Sequence, residues 1–280
     1  MRMRNLKEIL KDSLTEKELC SVPSSFDIIG SKQKAVAIVE IPEELKKKQL
    51  LIANAIMHLH KNVKSVLAKV SARKGELRLR EYELIAGNSD TEVVHKEYGY
   101  LLKLDPQKVY FSPREGMERQ RIAQQVKAGE KILVMFSGCA PYAIAIAKKQ
   151  PDVDKIYCIE LNPDAHKYAQ ENVRINKLSH KIILICGDVK NECKKLEEKF
   201  DRIVMPLPFG SESFLNVAIA CLKTGGIIHF YNWGKEPDVF QNAITCIEKN
   251  VKKYKILDKR IVLPYGPRKY KVCIDFVPQG

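Results

Sequence analysis

No apolar run in the 280-residue sequence approaches the length of about 18 residues that a membrane-spanning helix needs. No basic segment leading into a short apolar stretch opens it, so no secretory leader is expected. No CxxC pair occurs among the eight cysteines, at 20, 139, 158, 186, 193, 221, 246 and 273. That scatter argues against a zinc site and against a disulfide framework. Cys139, Cys158, Cys186 and Cys273 sit in apolar runs, where cysteine behaves as a small hydrophobe. Free thiols in a reducing, cytoplasmic compartment are the expectation, without metal and without a membrane. Tryptophan occurs once, at 233. Acids are in short supply: 34 Asp and Glu face 48 Lys and Arg, a net charge of +14. Such an excess favours a polyanionic partner such as nucleic acid, the alternative being a solubilising lysine-rich surface.

What is present reads as two domains, 1–105 and 106–280. Residues 1–24 have helical composition, at Asn5–Leu14 and Thr15–Leu19, and read as mobile or loosely docked. Strands are expected at Phe26–Gly30 and Lys34–Glu40, then a helix over Pro42–His60 with Pro42 in its first turn. Short strands follow at Ser65–Lys69, Glu76–Arg80, Tyr82–Ile85, Glu92–Glu97 and Tyr100–Leu104, divided by Gly, Asn and Asp turns. The result is a small basic α+β unit.

A helix over Gly116–Lys127 leads into the second domain. There, strand and helix patterns alternate. Strands are expected at Lys131–Phe136, Lys155–Glu160, Ile182–Cys186, Phe200–Met205 and Gly226–Tyr231. Between and after them come helices at Tyr142–Lys148, Pro163–Asn176, Asn191–Lys199, Ser211–Leu222 and Pro237–Lys253. This alternation implies an α/β fold, a mostly parallel Rossmann-like sheet with helices on both faces. Two final strands, Arg260–Leu263 and Tyr270–Phe276, lack an intervening helix and should form an antiparallel edge hairpin. That edge is the mark of a class I methyltransferase-type sheet rather than of a dehydrogenase.

Carboxyl ends of parallel strands share one edge, so residues there converge. The small-residue turn Ser137-Gly138-Cys139-Ala140-Pro141 follows the first strand. Glu160 ends the second, about 20 positions on, the spacing of a carboxylate that grips a ribose diol. Asp188 follows the third strand and could accept from an adenine amino group. Met205-Pro206-Leu207-Pro208 follows the fourth, where a substrate would approach. In order, these features point to a nucleoside-binding edge. His95 and His229 read as packed histidines rather than catalytic ones. Trp233 reads equally as part of a base or cofactor wall and as packing.

The chain resembles the archaeal and eukaryotic tRNA guanine-37 N1-methyltransferases over about residues 25–276. The resemblance rests on GELRLREYELIAG (75–87), HKEYGYLLKLDPQKVYFSPREGMERQRI (95–122), FSGCAP (136–141), IELNPDAHKYAQENVRINKL (159–178), GGIIHFYNWGK (225–235) and YGPRKYKVCIDF (265–276). It implies S-adenosyl-L-methionine as cofactor and tRNA, at the anticodon loop and stem, as partner of a monomeric enzyme. Glu160 then matches the ribose-binding acid and Asp188 the adenine-contacting acid. Phe136, Ser137, Gly138 and Pro141 match the cofactor loop, and Pro206 joins the cofactor side. Glu118 matches a proposed general base, Arg119 the arginine beside it, and Arg78 an arginine assigned to the target guanine. The types suit the chemistry, since guanine N1 attacks only after losing its proton and charge develops on O6. The plainer readings are that Glu118 is a solvated helix residue paired with Arg114, Arg119 or Arg121, and that Arg78 binds phosphate.

Three features depart from that family. Pro206 stands where it usually has Asn. Val134 and Ala140 stand where the cofactor loop usually has an acid and a second glycine. The extra amino-terminal domain that often precedes has no counterpart in this sequence. The last point makes the chain similar to a sister family, the wybutosine-pathway aminocarboxypropyltransferases, which use the same cofactor. A catalytically silent tRNA-binding relative is the third reading.

Overall fold

The computed structural model describes residues 5–71 and 80–279. The chain forms two compact units, Met1–Pro113 and Arg114–Gly280.

The first unit opens on α1 (Leu6–Leu10) and α2 (Glu16–Ser21), each entered through a capping box, Asn5 with Glu8 and Thr15 with Glu18. These helices are not loose. Leu6, Leu10 and Leu14 are buried in one core with Ile52 and Ile56, because a helical apolar stripe has to be covered. The expected helix over 42–60 begins instead as a 3-10 turn, Glu43–Lys48, and becomes α3 (Gln49–Leu59). The break falls at Lys48, whose φ of −112° leaves the helical range. Strands β1 (Asp27–Gly30), β2 (Ala35–Val39), β3 (Val63–Lys69) and β4 (Tyr82–Gly87) form one sheet in that order. Strands β5 (Val93–Glu97) and β6 (Tyr100–Leu104) form a separate hairpin. Its two-residue turn, Tyr98-Gly99, has φ of 41° and 89°, the left-handed pair that matches strand twist. His95 packs within this unit, accepting from Gly30 N at 3.1 Å with its ring edge-on to Phe111. Residues 76–79 of the strand expected at Glu76–Arg80, Arg78 among them, lie outside the described residues.

The second unit opens on α4 (Gly116–Gln125) and alternates through β7 (Lys131–Met135), α5 (Pro141–Lys149), β8 (Lys155–Glu160), α6 (Pro163–Ile175) and β9 (Ile182–Cys186). It continues with α7 (Val189–Lys195), β10 (Phe200–Met205), α8 (Leu215–Cys221), β11 (Leu222–Lys235), α9 (Gln241–Asn250), β12 (Lys253–Gly266) and β13 (Lys269–Gln279). The seven-stranded sheet runs β12-β13-β11-β10-β7-β8-β9. Strands β11 to β9 are mutually parallel, and β13 and β12 pair antiparallel at one edge. This is the expected Rossmann-like sheet with an antiparallel edge hairpin, preceded by a small α+β unit.

Helix limits shift where caps decide them. The helix expected from Pro237 starts at Gln241, because Asp238 accepts from the amides of Phe240 and Gln241. The helix expected from Ser211 starts as a 3-10 turn, Ser211–Phe214, and the one expected over 191–199 is α7, capped by Asp188. Strand β12 is far longer than Arg260–Leu263 because an edge strand is mostly exposed and carries no apolar alternation.

The core of this unit contains charges. Arg202 on β10 is 1% exposed and binds Glu130 at 2.9 and 3.1 Å, the Gln125 carbonyl at 3.0 Å and His229 Nε2 at 2.8 Å. A guanidinium only donates, so Nε2 of His229 accepts and its Nδ1–H donates to Asp275 at 2.6 Å. Burial, with Arg202 and Arg121 beside it, pushes His229 below its ordinary pKa and keeps it neutral, against the pull of Asp275. Asp275 also accepts from Arg121 at 2.5 Å and Gln125 at 3.0 Å. Burial opposes its ionisation, but His229 and Arg121 hold its carboxyl well below the usual range.

Removing one partner from such a network leaves the others buried and uncompensated. Asp275→Asn should cost about 3 kcal/mol or more, read as a lower denaturant midpoint at unchanged m-value. Because the folded-state pKa is depressed, this stabilisation is present above the unfolded value of about 4 and is lost only as pH falls through the depressed value. The gap between wild type and variant should therefore hold from about pH 8 to pH 5 and close in stronger acid. A gap under about 1 kcal/mol at neutral pH would show that the network adds little.

Candidate active site

The turn after β7 is built from strained backbone. Phe136, Gly138 and Ala140 have φ of 56°, 56° and 66°. For the two non-glycine residues this left-handed region costs about 1–2 kcal/mol each. Four hydrogen bonds hold it. Ser137 N donates to the Ile159 carbonyl at 3.0 Å, Ala140 N to Ser137 O at 2.9 Å, Gly138 N to Glu160 Oε2 at 2.7 Å, and Asn172 Nδ2 to Cys139 O at 3.1 Å. Asn172, fully buried on α6, explains the first Asn of the NxxxN pattern; Asn176 Nδ2 in turn donates to Asn172 O. Pro141 opens α5, where its missing N–H is no loss.

Glu160 ends β8, and each of its oxygens takes one amide: Oε2 that of Gly138, Oε1 that of Asn162 at 2.8 Å. Each keeps a further lone pair, so the carboxylate can still accept from two hydroxyls. Burial pushes its pKa up, and the amides of Asn162 and Gly138 foremost restrain that rise. Ser137 Oγ is buried and has no hydrogen-bond partner among the described residues. A carboxylate with two open lone pairs and an orphaned hydroxyl in one strained turn fit a nucleoside diol. Asp188 is half-buried and caps α7, accepting from Lys190 and Asn191 through Oδ1. Phe136 meets Phe214 edge to face at 4.9 Å, and Lys190 Nζ lies 4.7 Å from the Phe214 ring centre. Pro206 is half-buried just past β10.

Glu118 belongs to a second group and is not solvated, at 5% exposure. Arg121 donates to both its oxygens, at 2.9 and 2.7 Å, and the Tyr231 hydroxyl donates to Oε1 at 2.5 Å. Burial would weaken the Arg121 cation, but Glu118 and Asp275 keep it charged. Lys271 binds Glu115 at 2.8 Å, both buried, and its Nζ lies 4.9 Å from the Tyr231 ring centre. Arg119 is 2% exposed. The two groups adjoin through Tyr142, the residue after Pro141, whose ring lies 6.0 Å from that of Tyr231. Burial raises both phenols well above their ordinary pKa, so they stay neutral. The structure thus brings together the Ser137–Pro141 turn, Glu160 and Glu118, while Arg78 lies outside the described residues.

Sequence reasoning did not single out Asp275, Lys271 and Tyr231, whose buried contacts surround Glu118 and Glu115. The signal was there: a lone charge in an apolar strand, as in VCIDF, needs a buried partner. That reasoning weighed Trp233 as a base or cofactor wall but did not join it to Phe209 and Tyr265; the ring centroids of the three lie 4.1 to 6.1 Å apart. Three groups that could ligate a metal, His229, Cys273 and Asp275, lie within 4.8 Å of one another. Two of them are already bound by Arg202 and Arg121, and guanidiniums in that position oppose a cation.

The family model for the TRM5/TYW2 methyltransferase domain matches residues 93–258, and that for the TYW2 N-terminal domain matches residues 6–91. The chain is 42% identical over 259 residues to tRNA (guanine(37)-N(1))-methyltransferase Trm5b of Pyrococcus abyssi, covering 91% of this chain and 75% of that protein. It is similar to the structure of a complex of aTrm5 and tRNALeu, with a TM-score of 0.86 at 35% identity, over 100% of this chain and 79% of that one. It is also similar to Methanocaldococcus jannaschii Trm5 in complex with adenosine, with a TM-score of 0.80 at 34% identity, over 98% of this chain and 78% of that one. The chain belongs to the TRM5/TYW2 methyltransferase family.

Proposed function

We infer that the chain is an S-adenosylmethionine-dependent tRNA methyltransferase acting on N1 of guanosine 37, next to the anticodon. The carrying observation is one continuous site. The Glu160 clamp on the Ser137–Pro141 turn adjoins, through Tyr142 and Tyr231, a buried carboxylate. Glu160 would accept from the ribose hydroxyls, and Phe136, Ser137, Gly138 and Pro141 would shape the turn around the cofactor. Asp188 would meet the adenine, and Pro206 would stand on the cofactor side where the substrate approaches. When bound, S-adenosylmethionine supplies an electrophilic methyl group.

Glu118 receives the N1 proton of guanine. Its Oε1 is filled by Arg121 and Tyr231, and its Oε2, with one bond from Arg121, keeps a lone pair for that proton. Arg119 and Arg78 stabilise charge developing on O6. Positioning supplies much of the rate, and a loop base costs little to splay out. The basic first unit binds the RNA backbone, so affinity falls steeply with salt. Val134 and Ala140 bear on a second reading, transfer of the aminocarboxypropyl chain to a wybutosine precursor. Product analysis with methyl-labelled and carboxyl-labelled cofactor separates the two. Methyl label on N1 is the expected result, and carboxyl label in the tRNA would overturn it.

Glu118→Gln should lower transfer by about 100-fold or more and leave cofactor affinity within about twofold. Wild-type-like transfer would remove Glu118 from the mechanism. Glu160→Ala should weaken S-adenosylhomocysteine binding about 10- to 100-fold, the loss of two charge-assisted hydrogen bonds. Since burial raises the Glu160 pKa, wild-type affinity should decline with falling pH earlier than an ordinary glutamate would dictate. Calorimetric titration of Glu160→Gln should show a flatter pH profile. An equally steep one would place the titrating group elsewhere.

A further inference from the structure

Phe209, Trp233 and Tyr265 come from three separate segments: the β10–α8 connection, β11, and the end of β12. Their centroids are 4.8 Å apart for Phe209–Trp233, 4.1 Å for Trp233–Tyr265 and 6.1 Å for Phe209–Tyr265. Phe209 and Tyr265 are 41% and 42% exposed. Three aromatics packed at tilted and edge-on angles and left half-open on a surface are costly unless something covers them. Trp233 is held firmly in place. Its carbonyl accepts from Asn242, and the next residue, Gly234, touches Val239 so closely that a Cβ there would lie 1.7 Å from the Val239 carbonyl oxygen. Its indole N–H is buried and unpartnered among the described residues.

The surroundings identify the occupant. Lys235 and Lys269 are register partners across β11 and β13, and with Arg268 they are exposed beside the cluster. The acid among them, Glu236, is engaged by Arg268 at 3.6 Å and by the Tyr270 hydroxyl at 2.8 Å. Flat π-faces beside exposed cations, on a chain of net charge +14, suit a base and its phosphates. Trp233 also lies two residues beyond Tyr231 on β11, hence on the same strand face and about 7 Å further along. Tyr231 holds Glu118. The methyl-accepting base must reach that buried carboxylate, so the open platform suits its neighbour.

We propose that Phe209, Trp233 and Tyr265 form a stacking platform for an unpaired RNA base flanking the methyl-accepting nucleotide. The proposal rests on the reading of the site as a tRNA methyltransferase. Stacking there is sequence-tolerant and acts on RNA affinity, not on the chemical step.

Trp233 is the only tryptophan, so its fluorescence reports the platform directly. With S-adenosylhomocysteine saturating, titration with an anticodon stem-loop should quench it. Phe209→Ala and Tyr265→Ala should each weaken stem-loop binding roughly tenfold and leave cofactor affinity and melting temperature unchanged. Tyr265→Phe, which keeps the π-face, should bind like wild type. An abasic site beside the target should remove the quenching and the tenfold effect together. RNA binding without quenching, or alanine variants that bind RNA normally, would overturn the platform while leaving methyl transfer untouched. Quenching on raising protein concentration alone, without RNA, would assign the surface to a second copy and likewise overturn it. Persistent quenching with no methyl or aminocarboxypropyl transfer would keep the platform and remove the catalytic reading.

Discussion

Arg121 stands between two buried carboxylates, Glu118 on its own helix and Asp275 on β13, and the second unit is arranged so that it can. From Asp275 the chain of contacts continues through His229 and Arg202 to Glu130. Charges alternate along it, with a neutral imidazole as the insulator between Asp275 and Arg202. Such a series tolerates little displacement, because a buried charge that loses its partner costs several kcal/mol. His229 and Asp275 are register partners on β11 and β13, so a one-residue slip of the edge hairpin would separate them and turn Asp275 to the other face. The same contacts fix α4 against the sheet. Glu118 is therefore positioned by the strand register of the far edge of the fold, not by local helix geometry.

This explains which parts were legible in the sequence. Periodicity and strand-end chemistry are local, and they located the alternating sheet, the Ser137–Pro141 turn and Glu160. The electrostatic series is not local: His229 and Asp275 are 46 positions apart, and Arg121 and Asp275 are 154. Only the presence of Arg202, His229, Lys271 and Asp275 as lone polar residues in apolar strands marks them as needing partners, and nothing in one sequence says which. The amino-terminal helices show the same division. Asn5 with Glu8 and Thr15 with Glu18 are readable as caps, but the docking of Leu6 and Leu10 depends on α3 and on β2, elements far along the chain.

The Ser137–Pro141 turn depends on the sheet in a complementary way. Phe136 and Ala140 adopt a backbone that glycine would occupy without strain. Ala140 stands where the related methyltransferases usually carry glycine, and the chain keeps the turn's left-handed shape despite the added Cβ. It can do so because the turn is over-determined. Glu160 and Ile159 from β8 hold one side, and Asn172 from α6 holds the other. Loss of the glycine thus does not change the geometry the glycine serves.

The missing acid at Val134 is a different matter. Val134 is fully buried in mid-strand, paired in register with Val204 and Cys158, so its side chain belongs to the sheet core. An acid there would itself have needed a buried partner. The carboxylates that adjoin the turn from the other side, Glu115 and Glu118, are bound by Lys271 and Arg121. Neither can be given to a cofactor ammonium without exposing a buried cation to the same penalty. The two ends of the site are therefore governed by different rules. The Glu160 end is set by backbone amides and tolerates the side chain of Ala140. The Glu118 end is set by side-chain charges already committed to the interior, so a change there disturbs the charge series that holds the fold.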